Sequence, residues 1–483
     1  MLPVVVALAL ATAARADGVV VTDVSHERTE ERLVVRCEVG WRRAWNLERN
    51  HDAVWVFVKA RQVGATWWRH AHVSAVTAER TLDVRAVECP GAACEISEDG
   101  VGVFVSCGAP YVDGYASYEL ELDVDPASLG PFAGADALEF DVLAIEMVEV
   151  PEGPYWLGAA DEAAIAHSSF FRRGTDGEAT GPYRVESEDA IEVGGGSGTL
   201  GYRVPEHPEY RGDRGGPIPA AFPKGTRRSY VMKYELSQGE YAAFLDHLPD
   251  EASALRANFA GRGCREHGCS IQLVDGRYVA IAPRRPANFV SWDDGCAFLD
   301  WAGLRPMTEL EYEKICRGPE EPVEGDYPWG TASTERIDRR VDANFDLVVG
   351  PRAQRAAFVD AQRDTTGASC WFVMDLAGSL WERVVSAGSD AGRAFEGSHG
   401  DGMVTWYGSA TNADWPRGDD RGTGGYGYRG GGWYGADHEY AEGGFNPWSP
   451  VAWRPFAAWS QGPRHVAYGI RGVRTAPEPR DGE

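Results

Sequence analysis

The chain has 483 residues, 43% of them hydrophobic and 25% charged, a composition typical of a globular protein of two or three domains. Asp and Glu number 73 against 47 Lys and Arg, so the formal net charge is −26. Nucleic acid and anionic membranes bind clustered basic side chains, so this charge argues against both as partners. The 58 Gly and 17 Trp residues, beside only 6 Met, predict a loop-rich fold with an aromatic core.

The N-terminus has the pattern of a signal peptide. Residues 2–14 are apolar and uncharged, and Ala14-Arg15-Ala16 forms an A-x-A cleavage site, so we expect residues 1–16 to be removed. The apolar run is shorter than the roughly 20 residues that span a membrane, and no later segment is suited to span one. We therefore expect a secreted or periplasmic protein in an oxidising compartment, where an odd number of cysteines, nine, leaves one without an internal partner.

Residues 17–145 are expected to fold as an immunoglobulin-like β-sandwich. Short β-rich runs separated by turn residues support this: 32–39, 53–59, 102–106 and 118–124. Cys89, Cys94 and Cys107 fall among these strands. We interpret them as containing a local disulfide rather than a zinc site, because a second close Cys or His pair is missing.

His70 and His72 are two residues apart, so in a strand their side chains face the same side. That arrangement could ligate a metal ion. With no third ligand in sight, we interpret them as solvated surface histidines.

Residues 159–227 lack clear periodicity and are interpreted as a long surface insertion. A glycine cluster at residues 194–198 could cradle phosphate only if it joined a strand to a helix, and no helix follows it. Helix signals begin beyond this segment. Capping boxes begin helices at Ser237 and Thr308, and Ser291 caps another helix between them.

Two local features lie between the first two of these helices. Leu273 to Val279 reads as a hairpin with an Asp-Gly turn. Cys264 and Cys269 are expected to close a short loop with each other. A low-pKa redox pair is the alternative, but C-x4-C is not a redox spacing.

Seven motif blocks follow one another in the second part of the chain. They are residues 147–158, 231–241, 288–294 with 300–313, 327–330, 374–382, 428–433 and 469–474. In this order they resemble the formylglycine-generating enzyme (sulfatase-modifying factor) family, and seven ordered blocks make the resemblance specific. It implies an α+β domain with little regular secondary structure, related to C-type lectin domains, over residues 146–476. Residues 477–483 form a tail, and the N-terminal sandwich lies outside the resemblance.

The resemblance also implies a chemistry, the oxidation of a sulfatase cysteine by O₂ with copper held by two thiols. Two thiolates would select soft Cu(I). Here the corresponding segment, residues 429–440, contains no cysteine, and the last cysteine is Cys370. The family's copper site is therefore not expected in this chain. An iron-dependent branch uses a histidine triad from an added helical domain, and the strand-rich N-terminal half offers no such triad.

A calcium site in the loop 375–382 is the better-supported implication of the resemblance. In the family, a side-chain oxygen, two backbone carbonyls and a glutamate surround the ion, and hard cations prefer such oxygen ligands. By that match Asp375 and Glu382 supply carboxylates, while Gly378 and Leu380 supply carbonyls. Aspartate replaces the family's asparagine at position 375, which should strengthen cation binding. The alternative is a structural loop whose carboxylates cap backbone amides.

A second family calcium site would use Asn344 and the carbonyl oxygen of Phe345. The Asp-Gly-Phe segment that completes it in the family is not evident downstream. The cofactor we expect is therefore calcium, with copper disfavoured by the missing thiols.

The cysteines of the second part depart from the family pattern. By the resemblance, Cys316 matches one half-cystine whose partner position holds Phe456, and the other family pair falls at Leu299 and Gly472. Cys316 is then either free or paired with one of two other cysteines, Cys296 or Cys370.

Aromatic residues are dense between positions 406 and 459. The set comprises Trp406, Trp415, Tyr426, Tyr428, Trp433, Tyr434, Trp448, Trp453 and Trp459. Such side chains stack on sugar rings or grip a peptide, or they fill a loop-rich core. We favour a non-catalytic, calcium-stabilised binding or scaffold module with an extracellular protein or glycan as ligand. One alternative is a family oxidoreductase that acts on a protein cysteine by a mechanism other than the family's copper mechanism. Another is an inactive regulator of a true family enzyme.

Overall fold

The computed structural model describes residues 18–478 except 31, 82, 87, 136, 204–211, 258, 260–263, 342–346, 351–352, 354–361, 418–423, 433–448 and 461–463. The predicted signal peptide lies outside the described residues. Strands outnumber helices in the described part of the chain. In chain order the strands are β1 (Val20–Arg28), β2 (Leu33–Asn46), β3 (Asp52–Gln62), β4 (Arg69–Ala71), β5 (Val73–Arg80), β6 (Ala92–Ile96), β7 (Val103–Cys107), β8 (Tyr111–Val124), β9 (Leu138–Val150), β10 (Tyr155–Leu157), β11 (Phe170–Arg172), β12 (Tyr183–Val185), β13 (Leu200–Tyr202), β14 (Ser229–Met232), β15 (Ile271–Val274), β16 (Arg277–Ala280), β17 (Arg305–Pro306), β18 (Arg339–Val341), β19 (Leu347–Val349), β20 (Trp381–Val385), β21 (Tyr426–Arg429), β22 (Tyr468–Ile470) and β23 (Gly472–Thr475).

The helices are short and lie beyond the first nine strands. They are α1 (Glu162–Ala166), α2 (Gln238–Asp246), α3 (Asp250–Arg256), α4 (Trp292–Trp301), α5 (Glu309–Arg317), α6 (Arg363–Thr366) and α7 (Asp390–Arg393). Turns of 3₁₀ helix occur at Val84–Ala86, Pro126–Phe132 and Cys264–His267. Among the described residues, none of these helices has the length and apolar character needed to cross a membrane.

The predicted helix starts and the predicted hairpin are confirmed. Ser237, Ser291 and Thr308 are the N-caps of α2, α4 and α5, and each forms a complete capping box with the acidic residue three positions later. These boxes satisfy backbone N–H groups that have no partner inside the helix. In the hairpin of β15 and β16, Asp275 and Gly276 have φ angles of 50° and 80°, the region that a two-residue hairpin turn requires.

Two large antiparallel arrangements form the N-terminal part. A four-stranded sheet has the order β1-β2-β8-β5, and an eight-stranded sheet has the order β17-β23-β14-β9-β3-β7-β6, with β4 also paired to β3. Apolar side chains from β1, β2 and β8 share one buried core with those from β3, β7 and β9. The two sheets therefore pack face to face over the first part of the chain.

Strand β3 is buried on both faces because its sheet lies between two cores. Val54, Val56 and Val58 belong to the core shared with the four-stranded sheet, whereas Trp55 and Phe57 belong to the core formed with α2 and α4. Successive side chains of a strand point to opposite faces. The unbroken apolar run of β3 follows from this central position, as in other sheets covered on both sides.

Strand β9 joins the N-terminal sheets to the rest of the chain. On one edge it pairs with β3, from Asp52↔Val148 to Gln62↔Leu138, and on the other edge with β14, from Ser229↔Val150 to Met232↔Met147. The predicted boundary between residues 145 and 146 lies inside this strand. The eight-stranded sheet thus continues without interruption from the N-terminal strands into residues 146–476, the part that resembles the family and is called the family-like part below.

A buried lysine strengthens the same junction. Lys233, at the end of β14, lies 3.5 Å from a carboxylate oxygen of Asp52 and also pairs with Glu146. Asp52 in turn accepts the backbone N–H of Trp45 at 3.0 Å. None of the three charged side chains is more than 3% exposed, so each depends on the others for compensation.

The expectation of a surface position is wrong for His70. This residue is 2% exposed, its Nε2 lies 2.5 Å from the carbonyl oxygen of Val101, and its Nδ1 lies 3.1 Å from Nζ of Lys59. Burial and the Lys59 charge lower the pKa of His70 well below its usual value. Since both ring nitrogens are engaged by the protein, His70 is a structural histidine rather than a metal ligand.

Residues 159–227 are not confined to the surface. Phe170, Leu200, Ile218 and Phe222 are fully buried and belong to the core that also contains α2 and α4. Strands β11 and β13 pair with each other within this segment. The described part of the segment therefore contributes to the core despite its lack of sequence periodicity.

Candidate metal site and surrounding buried charges

The loop that precedes β20 contains the residues of the predicted calcium site. Asp375 and Gly378 have positive φ angles of 61° and 90°, a region that glycine adopts easily and aspartate tolerates better than most residues. These two residues allow the loop to turn sharply before Trp381 begins β20. The N–H of Gly378 donates to the carbonyl of Gly430 at 3.2 Å, which attaches the loop to the chain after β21.

Glu382, on β20, is fully buried and bound by Arg471. Nη2 of Arg471 lies 2.6 Å from Oε1 of Glu382, and its Nε lies 3.0 Å from Oε2. Arg471 also donates to the carbonyl oxygens of Met232 and Met374. Burial raises the pKa of Glu382, and the positive charge of Arg471 opposes that rise. The pair holds β20, β14 and the start of the loop together.

Glu235 is a carboxylate of this site that sequence reasoning missed. It is 2% exposed and accepts hydrogen bonds from Oγ of Ser379 at 2.6 Å and from the N–H of Leu380 at 2.8 Å. Burial, and then the negative charges of Glu382 and Asp375, raise its pKa well above the usual value. The only sequence signal was an acidic residue between β14 and the N-cap of α2.

The chemistry of this cluster fits a hard cation. Asp375, Glu235 and Glu382 lie close enough for their charges to interact, and Arg471 offsets only one of the three. A divalent ion would neutralise the remainder, and carboxylate and carbonyl oxygens are the ligands it prefers. However, no group of three or more His, Cys, Asp or Glu side chains in the described residues has the arrangement of a metal site.

The predicted ligands are therefore brought together only in part. Glu382 already gives both carboxylate oxygens to Arg471, and Leu380 gives its N–H to Glu235, so backbone carbonyls of the loop would have to complete any coordination. The second predicted site, Asn344 and Phe345, lies outside the described residues.

Helix α5 carries a second buried charge network. Glu309 accepts hydrogen bonds from Nε of Arg454 at 2.8 Å and from Nη1 of Arg429 at 3.2 Å, and Glu313 accepts one from Nη2 of Arg429 at 2.6 Å. Glu309 and Glu313 share a helix face because they are four residues apart. Burial raises the pKa of Glu309, but the charges of Arg454 and Arg429 and the hydrogen bonds from Arg454 and the N–H of Ala387 together hold the pKa below its usual value.

This network fixes the point at which the chain leaves β21. Arg429 is the last residue of that strand and begins the segment in which the family resemblance places the copper thiols. Residues 433–448 of that segment lie outside the described part of the chain.

Most of the described aromatic set is core. Trp415, Tyr426 and Tyr428 are at most 5% exposed, and Trp453 and Trp459 are half-buried. Of the two interpretations, filling of a loop-rich core therefore holds for most of the described members, which replace aliphatic side chains in the interior. Three members of the set lie outside the described residues: Trp433, Tyr434 and Trp448.

Trp406 and its neighbour Tyr407 are the exception. They are 56% and 65% exposed and lie in a turn closed by the N–H of Gly408 and the carbonyl of Thr405. A Cβ on Gly408 would lie 3.2 Å from Leu248, just beyond the C-terminus of α2, so the turn packs closely against the protein. These two rings are held outward and are available for contact.

The thiols of the family-like part lie in separate cores. Cys296 belongs to the core around α4, whereas Cys316 and Cys370 belong to a core beneath α5. The N–H of Cys370 donates to the carbonyl of Cys316 at 3.1 Å, which places these two residues side by side and away from Cys296. Burial raises the pKa of Cys296 well above its usual value, so it is a poor nucleophile.

The two positions matched to the family's other disulfide are neighbours. A Cβ on Gly472 would lie only 2.5 Å from Cδ2 of Leu299, so the leucine side chain occupies the space beside the glycine. Phe456, matched to the partner of Cys316, lies in a different core from Cys316. The structure supports the first correspondence and not the second.

A polar cavity of about 170 Å³ lies between residues 188–229 and α5. Arg305 lines it and pairs with Glu311 at 2.6 Å, while no described residue provides a hydrogen-bond acceptor for its Nε. The volume and the donor suit bound water.

Comparisons with known proteins agree with this architecture. The family profile described as the sulfatase-modifying factor enzyme 1-like domain matches residues 178–475, more than half of the chain. A formylglycine-generating enzyme of Thermomonospora curvata is 39% identical over 61 residues, which cover 13% of this chain and 20% of that protein.

Two hercynine oxygenases are also similar. That of Mycobacterium tuberculosis is 32% identical over 114 residues, 23% of this chain and 24% of that protein. That of Mycolicibacterium smegmatis is 33% identical over 110 residues, 22% of this chain and 23% of that protein. The chain thus spans about a fifth to a quarter of the length of these curated relatives.

Proposed function

The chain belongs to the sulfatase-modifying factor enzyme 1-like family, and from this premise we propose that it is a secreted, non-catalytic binding or scaffold module stabilised by calcium. One observation carries the non-catalytic part: no cysteine follows Cys370, so the segment matched to the family's copper thiols has none. The candidates for a relocated thiol site, Cys296, Cys316 and Cys370, are buried in cores.

The proposal extends to the finer architecture. The two N-terminal sheets form an immunoglobulin-like sandwich, and the family-like part has a C-type-lectin-like fold. The shared core between the sheets supports the first statement, and the short, loop-connected elements of the second part support the other. The apolar residues 2–14 and their A-x-A site support export.

In this proposal calcium is held by the loop 375–382. Asp375 and Glu382 supply carboxylates, and Gly378 and Leu380 supply carbonyl oxygens, with Glu235 as a further acidic group beside them. A bound ion would supply positive charge to a buried cluster that Arg471 neutralises only in part. Asn344 and the carbonyl of Phe345 would form the second site.

Thermal unfolding tests the calcium proposal. We expect EGTA to lower the Tm of the full-length protein and excess calcium to restore it, because an ion that binds only the folded state stabilises it. Asp375→Ala should reduce the calcium response to whatever the second site contributes, whereas Glu324→Ala, at an exposed acidic position, should keep the full response. An unchanged Tm through EGTA and calcium additions would count against the site.

A family oxidoreductase is the competing function, favoured by relatives named formylglycine-generating enzyme and hercynine oxygenase. Titration with Cu(I), followed by O₂ uptake in the presence of a cysteine-containing peptide, separates the two. We expect no tight Cu(I) binding and no peptide-dependent O₂ uptake. Both together would overturn the non-catalytic proposal, and co-purification with an active family enzyme would instead support a regulator.

The ligand that we propose is an extracellular protein or glycan, contacted by Trp406 and Tyr407. Exposed aromatic rings give large contact areas at low entropic cost. A glycan array probed with the wild-type protein and with Trp406→Ala tests the glycan class, with Val323→Ala as a control of equal exposure. Loss of a glycan signal in Trp406→Ala alone would support the surface, and equal signals in all three proteins would contradict it.

A further inference from the structure

Two buried thiols of the N-terminal sheets are in contact. The Sγ atoms of Cys89 and Cys107 are 3.9 Å apart, and the hydroxyl of Tyr118 lies 3.0 Å from the first and 3.5 Å from the second. All three side chains are at most 2% exposed. The separation exceeds the roughly 2.05 Å of an S–S bond, so the residues are two thiols facing each other.

The backbone around both residues is already fixed. Cys107 is the last residue of β7 and lies in register with Ala92, the first residue of β6. Cys89 precedes Ala92 by three positions, and beside it the N–H of Gly108 donates to the carbonyl of Gly91 at 2.7 Å. The thiols therefore face each other at the open end of the β6–β7 hairpin, which the backbone pairing of β6 and β7 holds in place.

The neighbouring thiols are placed differently. Cys94 lies in the middle of β6, and burial raises its pKa to about 11. Cys37 lies on β2, and burial raises its pKa to about 12. By contrast, the hydrogen bond from Cys107 outweighs burial and lowers the pKa of Cys89 to about 6. A lowered pKa favours the thiolate, which is the form that attacks disulfides.

We propose that Cys89 and Cys107 form a disulfide by exchange with a small-molecule disulfide. The Cys89 thiolate attacks one sulfur of that oxidant, forms a mixed disulfide and releases the other sulfur, which takes up a proton. Cys107 gives its proton to solvent, attacks Sγ of Cys89 and displaces the second half of the oxidant as a thiol. In total the protein loses two protons and two electrons, and the oxidant is reduced to two thiols.

The bond closes the open end of a hairpin that contacts the family-like part. Strand β6 is the edge strand of the eight-stranded sheet, and its Glu95 pairs with Arg228 at 2.8 Å. Asp99, in the turn of the hairpin, accepts a hydrogen bond from Arg474 at 2.6 Å. The crosslink therefore stabilises an edge through which the two parts of the chain meet. This inference does not depend on the proposed binding function.

Peptide mapping decides the pairing. Cleavage after glutamate separates fragment 89–95, with Cys89 and Cys94, from fragment 99–119, with Cys107. Reduced full-length protein is incubated with oxidised glutathione, alkylated, and digested without further reduction. We expect the two fragments to be recovered joined, at a mass lower by two hydrogens than the sum of the free fragments.

Variants then identify the partner within fragment 89–95. Cys94→Ser should keep the fragments joined, and Cys89→Ser should separate them. A fragment 99–119 that still carries an alkylated Cys107 after oxidation, or a bond between Cys89 and Cys94, overturns the assignment. In the joined wild-type fragments, tandem mass spectrometry locates the alkyl group on Cys94 if Cys89 is the partner of Cys107, and on Cys89 if Cys94 is the partner. The assignment therefore does not depend on a variant folding.

Hydrogen exchange tests the structural consequence. The β6 amides should exchange more slowly in oxidised than in reduced wild-type protein, because the bond suppresses fraying at the edge strand. Equal exchange in the two states would show that the crosslink does not stabilise the hairpin.

Discussion

Arg471 binds both carboxylate oxygens of Glu382, and neither side chain is exposed. Arg471→Met leaves a buried carboxylate without its partner, so we expect the free energy of unfolding to fall by about 3–5 kcal/mol. The double variant Glu382→Gln/Arg471→Met should lose less than the sum of the single losses, because it also removes the carboxylate charge that Arg471 pairs with. Urea unfolding of the four proteins measures the coupling, and additive losses would contradict it.

A pH dependence follows from Lys233, which lies between Asp52 and Glu146 and can neutralise only one of them. Burial raises the pKa of Asp52 to about 6 and that of Glu146 to about 7, above their values of 3.8 and 4.5 in an unfolded chain. The folded protein therefore keeps protons that the unfolded chain has released. Their stabilising contribution is complete below about pH 4 and is lost as the pH rises to about 7.

Glu146→Gln removes one of these titrations. The change in unfolding free energy between about pH 5 and about pH 8 should therefore be smaller in this variant than in the wild-type protein. Glu324→Gln, at an exposed position, serves as the control and should keep the wild-type pH dependence. Urea unfolding at both pH values gives the comparison, and an unaltered pH dependence in Glu146→Gln would show that Glu146 is not the titrating group.

A third prediction follows from the contact between Leu299 and Gly472. A Cβ at position 472 would lie 2.5 Å from Leu299 and 2.8 Å from Leu304, so Gly472→Ala should cost about 1–3 kcal/mol through overpacking. The paired change Leu299→Cys/Gly472→Cys should instead form a disulfide, as the family does at the matched positions. Thiol titration of the denatured variant checks this, and two additional free thiols would contradict it.

Truncation should destabilise the protein strongly at one tryptophan and hardly at all at another. Trp292 is 1% exposed and its ring stacks on that of Tyr426, with 4.4 Å between the ring centroids. We expect Trp292→Ala to lower the free energy of unfolding by about 3–5 kcal/mol. Trp406 is 56% exposed, so Trp406→Ala should change the unfolding free energy by no more than about 0.5 kcal/mol. Chemical denaturation of both variants measures the difference, and a large loss in Trp406→Ala would show that this ring is structural.

Local signals made parts of the fold predictable from the sequence. Ser237, Ser291 and Thr308 start helices because each cap is satisfied within three residues, and the Asp-Gly turn forms its hairpin because two adjacent residues accept positive φ angles. In such cases the sequence neighbours are also the structural neighbours.

The candidate site was less predictable because its partners are distant in sequence. Glu235 and Ser379 are 144 positions apart, and Glu309 and Arg454 are 145 apart. The family resemblance identified the loop 375–382 but not the third carboxylate beside it. Nor could residue type alone show that His70 is enclosed between Lys59 and a carbonyl group, since that environment is created by tertiary packing.

The position of β9 in the eight-stranded sheet has a consequence for how the protein unfolds. Its hydrogen bonds to β3 and β14 mean that loss of either neighbour leaves the corresponding edge of β9 unpaired. The two parts should therefore melt in one cooperative transition rather than as separate units. For the same reason, exchanging the N-terminal part for another module would require replacing a central strand, not splicing a linker.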